Sequence, residues 1–125
     1  MLLDASALLA LLNHEPGSDL VEEQIPGALI SAVNLAEVVG KLADLGMAMD
    51  EVRVVIEVLG LEIVEFDAQM AFEAGRLRTA TRGAGLSLGD RACLATASLR
   101  NEAVLTGDRS WLSLDLGVSV HCIRI

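Results

Sequence analysis

Met1-Leu2-Leu3-Asp4-Ala5-Ser6-Ala7-Leu8-Leu9-Ala10-Leu11-Leu12 opens the chain and decides how the rest is read. Met1–Leu3 is an apolar run the length of a short strand, and Ala5–Leu12 consists almost wholly of strong helix formers. Asp4 stands at the junction, where it or Ser6 is placed to cap the helix. Pro16-Gly17 then breaks the helix. The same alternation continues. Ser18–Gln24 reads as a short second helix, Pro26-Gly27 as a turn and Ala28–Ile30 as a strand. In residues 33–45, Leu35, Val38, Val39, Leu42 and Leu45 keep i, i+3, i+4 spacing, and Gly46 stops the helix. Met49–Leu59 is helical up to Gly60, and Glu62–Phe66 alternates like a strand. Asp67 caps a helix to about Arg82, Gly83-Ala84-Gly85 makes a loop, and Ser87 caps a helix through Arg100. Ala103–Thr106 is a strand, Arg109–Leu112 a helical turn, and Val118–Ile123 a last strand. Strands alternating with helices predict a parallel sheet covered on both faces.

At 125 residues the chain is one domain, residues 1–125, with no repeats or low-complexity linker. Hydrophobic residues make up 53% and the mean hydropathy is +0.52. No stretch reaches the roughly 18 uninterrupted apolar residues of a membrane span. The N-terminus, without a basic residue ahead of its apolar run, is a poor signal peptide, so the expected location is cytoplasmic. The apolar excess points instead to an interface, either a homodimer or a complex with a partner. Cys93 and Cys122 form no disulfide framework and read as buried free thiols; His14 and His121 have no metal-ligand spacing to either.

The net charge of −9 opposes easy binding of a polyanion, but it is unevenly spread. Residues 1–65 hold twelve acids and two bases, whereas residues 66–125 hold six acids and seven arginines. With only three aromatic residues, Phe66, Phe72 and Trp111, the composition argues against a base-stacking platform.

Four acids fall where such a fold gathers side chains. They are Asp4, Glu37 in Ser31-Ala-Val-Asn-Leu-Ala-Glu37, Asp90 in Leu88-Gly-Asp90-Arg91, and Asp108 after Val104-Leu-Thr-Gly. Asp4 and Asp108 each end a strand, and ligands of open parallel sheets bind outside the carboxyl ends of the strands. Carboxylates meeting there repel one another unless a cation lies between them, and Mg²⁺ and Mn²⁺ favour all-oxygen sites. Each acid also has a local reading. Asp4 is a good N-cap, and Thr-Gly-Asp108 is ordinary turn chemistry. Ser87-x-x-Asp90 resembles a capping box, yet Cys93, Leu94 and Ala97 follow Asp90 at +3, +4 and +7, so it projects from an apolar face. Glu37 lies nearly opposite the Leu35/Val38/Leu42 stripe, which by pattern alone makes it solvated.

Leu3-Asp4-Ala-Ser6, Ser31 followed by Glu37, Leu88-Gly-Asp90 and Leu105-Thr106-Gly-Asp108 resemble, in order and spacing, a PIN-domain ribonuclease. Within that superfamily the chain most resembles the VapC-type toxins of bacterial toxin–antitoxin pairs, over nearly its whole length. The resemblance implies a three-layer α/β/α domain with a central, mainly parallel sheet. It implies catalytic Asp4, Glu37, Asp90 and Asp108, with Asp4, Asp90 and Asp108 holding Mg²⁺, or Mn²⁺ in its place. The activity implied is endoribonuclease cleavage by a metal-activated water, leaving a 5′-phosphate and a 3′-hydroxyl, with a cognate antitoxin as partner. Ser6 and Thr106 match the family's hydroxyl positions, where they hold a water or an acid in place or act as local caps. Arg91 and Arg109 directly follow two of the acids and either contact RNA phosphates or balance local charge.

Two other readings compete. A catalytically inactive PIN-fold interaction module would keep the fold without the chemistry, against which the complete acidic quartet argues. A phosphoacceptor receiver domain is also acidic and α/β, but it needs a lysine after a late strand, and the only lysine is Lys41 on an early helix.

Overall fold

Two hydrophobic cores, one on each side of a five-stranded sheet, organise the molecule. A computed structural model describes residues 1–124. In chain order the elements are β1 (Leu2–Leu3), α1 (Ala5–Leu12), α2 (Ser18–Gln24), β2 (Leu29–Ser31), α3 (Ala32–Asp44), α4 (Met49–Leu59), β3 (Glu62–Val64), α5 (Ala68–Ala80), α6 (Leu88–Arg100), β4 (Val104–Thr106) and β5 (Val120–Cys122). Short 3₁₀ turns lie at Arg82–Ala84 and Arg109–Ser113. The sheet order is β3-β2-β1-β4-β5, and every pairing is parallel.

Successive strand residues point to opposite faces, so the doublets Leu2/Leu3, Leu29/Ile30 and Val104/Leu105 each feed both cores. Leu3, Ile30 and Leu105 pack with Leu8, Val21, Val38, Val52 and Ile56 of α1–α4. Leu2, Leu29 and Val104 pack with Met70, Leu77, Leu94 and Trp111 on the α5–α6 side. Each fully buried Leu, Ile or Val contributes roughly 1.5–3 kcal/mol, which is why a two-residue strand can hold the centre of the sheet. The three-layer α/β/α expectation agrees with this arrangement, and the sheet is wholly parallel among the described residues.

Local sequence places the helix starts. Asp4, Asp67 and Ser87 cap α1, α5 and α6 through hydrogen bonds from Ala7, Met70 and Asp90 amides, and Gly60 closes α4 in the left-handed conformation. The strands are shorter than their apolar runs. The β2–β3 register stops at Ser31 opposite Val64, because Asp67 already turns the chain into α5. The last strand likewise covers Val120–Cys122 rather than Val118–Ile123. Helix α5 ends at Ala80, not near Arg82: the Thr81 hydroxyl donates to Leu77 O (2.7 Å), and the chain tightens into a 3₁₀ turn where a plain loop was expected. Gly17 is required where α2 begins. Its φ is +94°, and a Cβ there would lie 2.6 Å from Ile123 O.

Candidate active site

Strand order reverses at β1: the chain builds outward through β2 and β3, then returns to add β4 on the other side of β1. Asp4 follows β1 and Thr106 ends β4, so the two meet at the switch point where such sheets bind ligands. The Thr106 hydroxyl donates to Asp4 Oδ2 at 2.6 Å. Ala7 N donates to Oδ1 at 2.8 Å, and the Ser6 hydroxyl reaches both oxygens at 2.7 and 2.9 Å. Ser6 Oγ in turn accepts from Gly107 N at 2.8 Å, tying the β4 exit to α1. Asp4 is only 5% exposed. Burial pushes its carboxyl above the ordinary value; the bonds from Thr106, Ala7 and Ser6 pull it back down, and the Asp90 charge pushes it up again. Asp4 is therefore an N-cap and, at the same time, a buried carboxylate placed beside another acid.

Asp90 forms the capping box: its Oδ2 accepts from Ser87 N at 3.0 Å while Ser87 Oγ accepts from Asp90 N at 3.1 Å. Its capping role is thus shown; its carboxylate is half-buried and its charge also acts on Asp4. Glu37 is exposed, as its helical position predicts, but it is not free. Asn34 Nδ2 donates to Glu37 Oε1 (2.8 Å) and to Gly89 O (3.0 Å), pinning α3 to the first turn of α6. Gly89 makes room for this arrangement. A Cβ there would sit 2.6 Å from Glu37 Cδ, and nearer still to Oε1.

Beneath these groups lies Cys93, fully buried. Its thiol is pushed well up, first by burial and then by the charges of Asp4, Asp90 and Glu37. The same three carboxylates therefore act on one buried thiol from α1, α6 and α3. Asp108 is exposed and caps the turn at Arg109–Ser113, accepting from Ser110 N (2.9 Å) and Ser110 Oγ (2.7 Å), as its turn chemistry suggests. Its backbone joins the hydrogen-bond network around Asp4, with Asp108 N donating to Thr106 Oγ1 at 3.0 Å. Arg109 is exposed. Arg91 is buried and faces α5, its Nη1 donating to Ala74 O at 2.9 Å.

Among the described residues, no three of His, Cys, Asp and Glu are close enough to hold a metal ion by themselves. Mg²⁺ does not require a closed protein shell. It keeps several waters and takes one or two carboxylates together with substrate phosphate. Asp4, Asp90 and Glu37 supply hard oxygen donors, and among the described residues none of the three is paired with a cationic side chain. The donor set fits a divalent cation.

Sequence reasoning passed over Asn34 and Gly89. Asn34 carried a signal: with Val38 and Leu42 it forms the fully buried i, i+4 stripe of α3, where a polar side chain needs a partner. Its Oδ1 is buried without a hydrogen-bond partner. Gly89 had none, since the carboxylate that occupies the space beside it comes from another helix.

The sequence matches the PIN domain family over residues 1–115. No curated protein matches it. Solved structures of similar fold include a toxin–antitoxin complex from Klebsiella pneumoniae, with 21% identity, a TM-score of 0.78, and 99% of this chain and 98% of that one covered. VapBC2 from Rickettsia felis, bound to a promoter DNA fragment, gives 19% identity, a TM-score of 0.75 and 96% of each chain. DNA-bound VapBC from Salmonella typhimurium gives 20%, 0.75, and 98% and 96%. At these identities the likeness is one of fold. With the family matched along nearly the whole sequence, and the acids seated at the reversal of the sheet, this chain belongs to the PIN domain family.

Proposed function

We propose that this chain is a divalent-metal-dependent endoribonuclease and the toxin of a toxin–antitoxin pair. The observation that supports the chemistry is a buried, hydrogen-bonded Asp4 at the carboxyl edge of β1 and β4, with Asp90 acting on it and Glu37 held against the first turn of α6. In this reading Asp4 and Asp90 are the principal holders of Mg²⁺ or Mn²⁺, with Asp108 reaching the same cation from the end of β4. When bound, the cation would offset the charge of a phosphodiester and acidify an attacking water. Asp4, fixed by Thr106, Ser6 and Ala7, needs no reorganisation to serve as a donor. Glu37 is held at Oε1 by Asn34 and is exposed, so Oε2 is available to accept the proton of the water. The water oxygen bonds to phosphorus, the P–O3′ bond breaks, and the 3′-oxygen takes a proton from solvent. The products are a 5′-phosphate and a 3′-hydroxyl.

RNA as substrate, the toxin role, a cognate antitoxin and a cytoplasmic location rest on the resemblance to VapC-type toxins; solved structures of this fold include toxin–antitoxin complexes. Among the described residues no helix is long and apolar enough to cross a membrane. Purified protein should cleave a structured RNA with Mg²⁺ or Mn²⁺ and stop on adding EDTA. Asp4→Asn and Asp90→Asn should each lower the rate by about 10²-fold or more while staying folded. Full activity in Asp90→Asn would falsify the site. We propose a homodimer as well, because Val54 and Val58, one turn apart on α4, are 59% and 78% exposed. An apolar face of about 800 Å² per partner would suffice, and a monomer by light scattering at micromolar concentration would refute it.

A further inference from the structure

The connection between α5 and α6 encloses a cationic cavity. Arg78 and Thr81 at the end of α5, Arg82, Gly85 and Leu86 in the connection, and Arg91 of α6 line one cavity of about 380 Å³. No acidic residue is among these lining groups, in a chain whose net charge is −9. Among the described residues neither Arg78 nor Arg82 makes an ion pair, whereas Arg76 and Arg100 pair with Glu73 and Glu62. Arg91 is the stronger indication. It is 8% exposed, it meets one carbonyl, Ala74 O, and its buried Nε has no partner. A buried guanidinium is costly unless something charged answers it, and two further guanidiniums beside it raise that cost. Placement of Arg78 near the end of α5 favours that helix electrostatically, but this does not account for Arg91, which comes from the next helix.

We infer that this cavity binds a phosphate of the RNA backbone, next to the nucleotide being cut. Arginine suits this role because its planar fork of donors matches phosphate oxygens. Position favours a substrate phosphate over a free anion: Arg91 directly follows Asp90, so the first turn of α6 carries an acid to one side and the cationic cavity to the other. An RNA strand crossing that turn would present one phosphate to the acids and a neighbouring one to the arginines. In a strongly acidic protein this cavity supplies the local attraction that the net charge withholds. The inference rests on the nuclease reading for the identity of the ligand, and binding is measured without catalysis so that the two can fail separately.

The test uses full-length protein and a fluorescently labelled RNA hairpin in EDTA, titrated at several salt concentrations. Arg78→Ala/Arg82→Ala changes two exposed side chains and should leave the fold intact. It should weaken binding about tenfold or more and flatten the slope of log K against log salt by about 0.7 for each phosphate no longer neutralised. Lys41→Ala/Arg53→Ala removes the same charge from the exposed faces of α3 and α4, and is expected to shift binding far less. Equal losses in the two double variants would overturn the inference, leaving only a general charge effect. If wild type ignores the hairpin but inorganic phosphate raises its Tm, and not that of Arg78→Ala/Arg82→Ala, the cavity is a small-anion site and the RNA assignment is wrong. If the hairpin binds through these arginines but is never cut in Mg²⁺ or Mn²⁺, the cavity stands and the nuclease reading fails.

Discussion

Gly89→Ala separates a role in stability from a role in chemistry. The new Cβ would lie 2.6 Å from Glu37 Cδ, against an ordinary carbon–carbon contact of about 3.5 Å, so the carboxylate must retreat by about 1 Å. It can do so, because Glu37 is an exposed and flexible side chain. The fold loses the Asn34–Glu37 hydrogen bond, worth about 1–2 kcal/mol with a charged acceptor. It gains up to about 0.8–1.0 kcal/mol from replacing glycine in a helix. The balance is a loss of about 1 kcal/mol or less, lowering Tm by roughly 4 °C. Misplacing a reacting group by about 1 Å can cost on the order of 10²-fold in rate. The expected result is therefore a well-folded protein with about one hundredth of the RNA-cleaving activity. Single-turnover cleavage beside a thermal melt measures both quantities. Glu37→Gln should lose a similar factor, and combining the two should add little, since both act on one carboxylate. Wild-type cleavage rates in folded Gly89→Ala would refute the reasoning, as would full multiplication of the two losses in the double variant.

Asp4→Asn should raise stability at neutral pH. The Asp4 carboxyl is held above its ordinary value of 3.8, chiefly by burial, so the folded chain binds more protons than the unfolded one between 3.8 and the folded value. Stability therefore falls as pH rises through that window, and the charged form remains a burden above it. The neutral amide removes the burden: its oxygen can accept from Ala7 N, and the Thr106 hydroxyl can turn to accept from its NH₂. Thermal melts should show the Tm advantage of Asp4→Asn at neutral pH shrinking towards about pH 4; an advantage independent of pH would contradict the assignment. Mg²⁺ should stabilise wild type at neutral pH and not Asp4→Asn. Cys93 is fully buried with its thiol pushed well up, while Cys122 is half-buried, so a thiol reagent near neutral pH should label one cysteine in the native chain and two after denaturation. Rapid native labelling in Cys122→Ser would show that Cys93 is not where the fold places it.

Much of the architecture is local and can be read from the chain alone. The bounds of α1, α2 and α4 follow from helix formers with Pro16-Gly17, Pro26-Gly27 and Gly60 as stops, and Asp67 and Ser87 announce the helices they cap. Caps and breakers act within a turn or two of themselves, so a single sequence displays them. The doublets Leu2/Leu3 and Val104/Leu105 likewise declare strands buried on both faces. The site depends on contacts across long separations. Thr106 reaches Asp4 from 102 residues away, because β4 adds beside β1 instead of beyond β3. Glu37 looks like a solvated helix residue until α6 docks on α3 and Asn34 bridges to Gly89, 55 residues further on. Arg91 follows Asp90 in sequence, yet the turn of α6 sends one side chain to the acids and the other towards α5. Periodicity fixes which face of its own helix a residue occupies, but which neighbour covers that face is set by the order of the strands and the docking of the helices. For that reason the acids were legible as candidates in the sequence, while only the folded chain shows that Thr106 and Ser6 bond to Asp4, that Asn34 ties Glu37 to the first turn of α6, and that Asp108 caps the turn after β4.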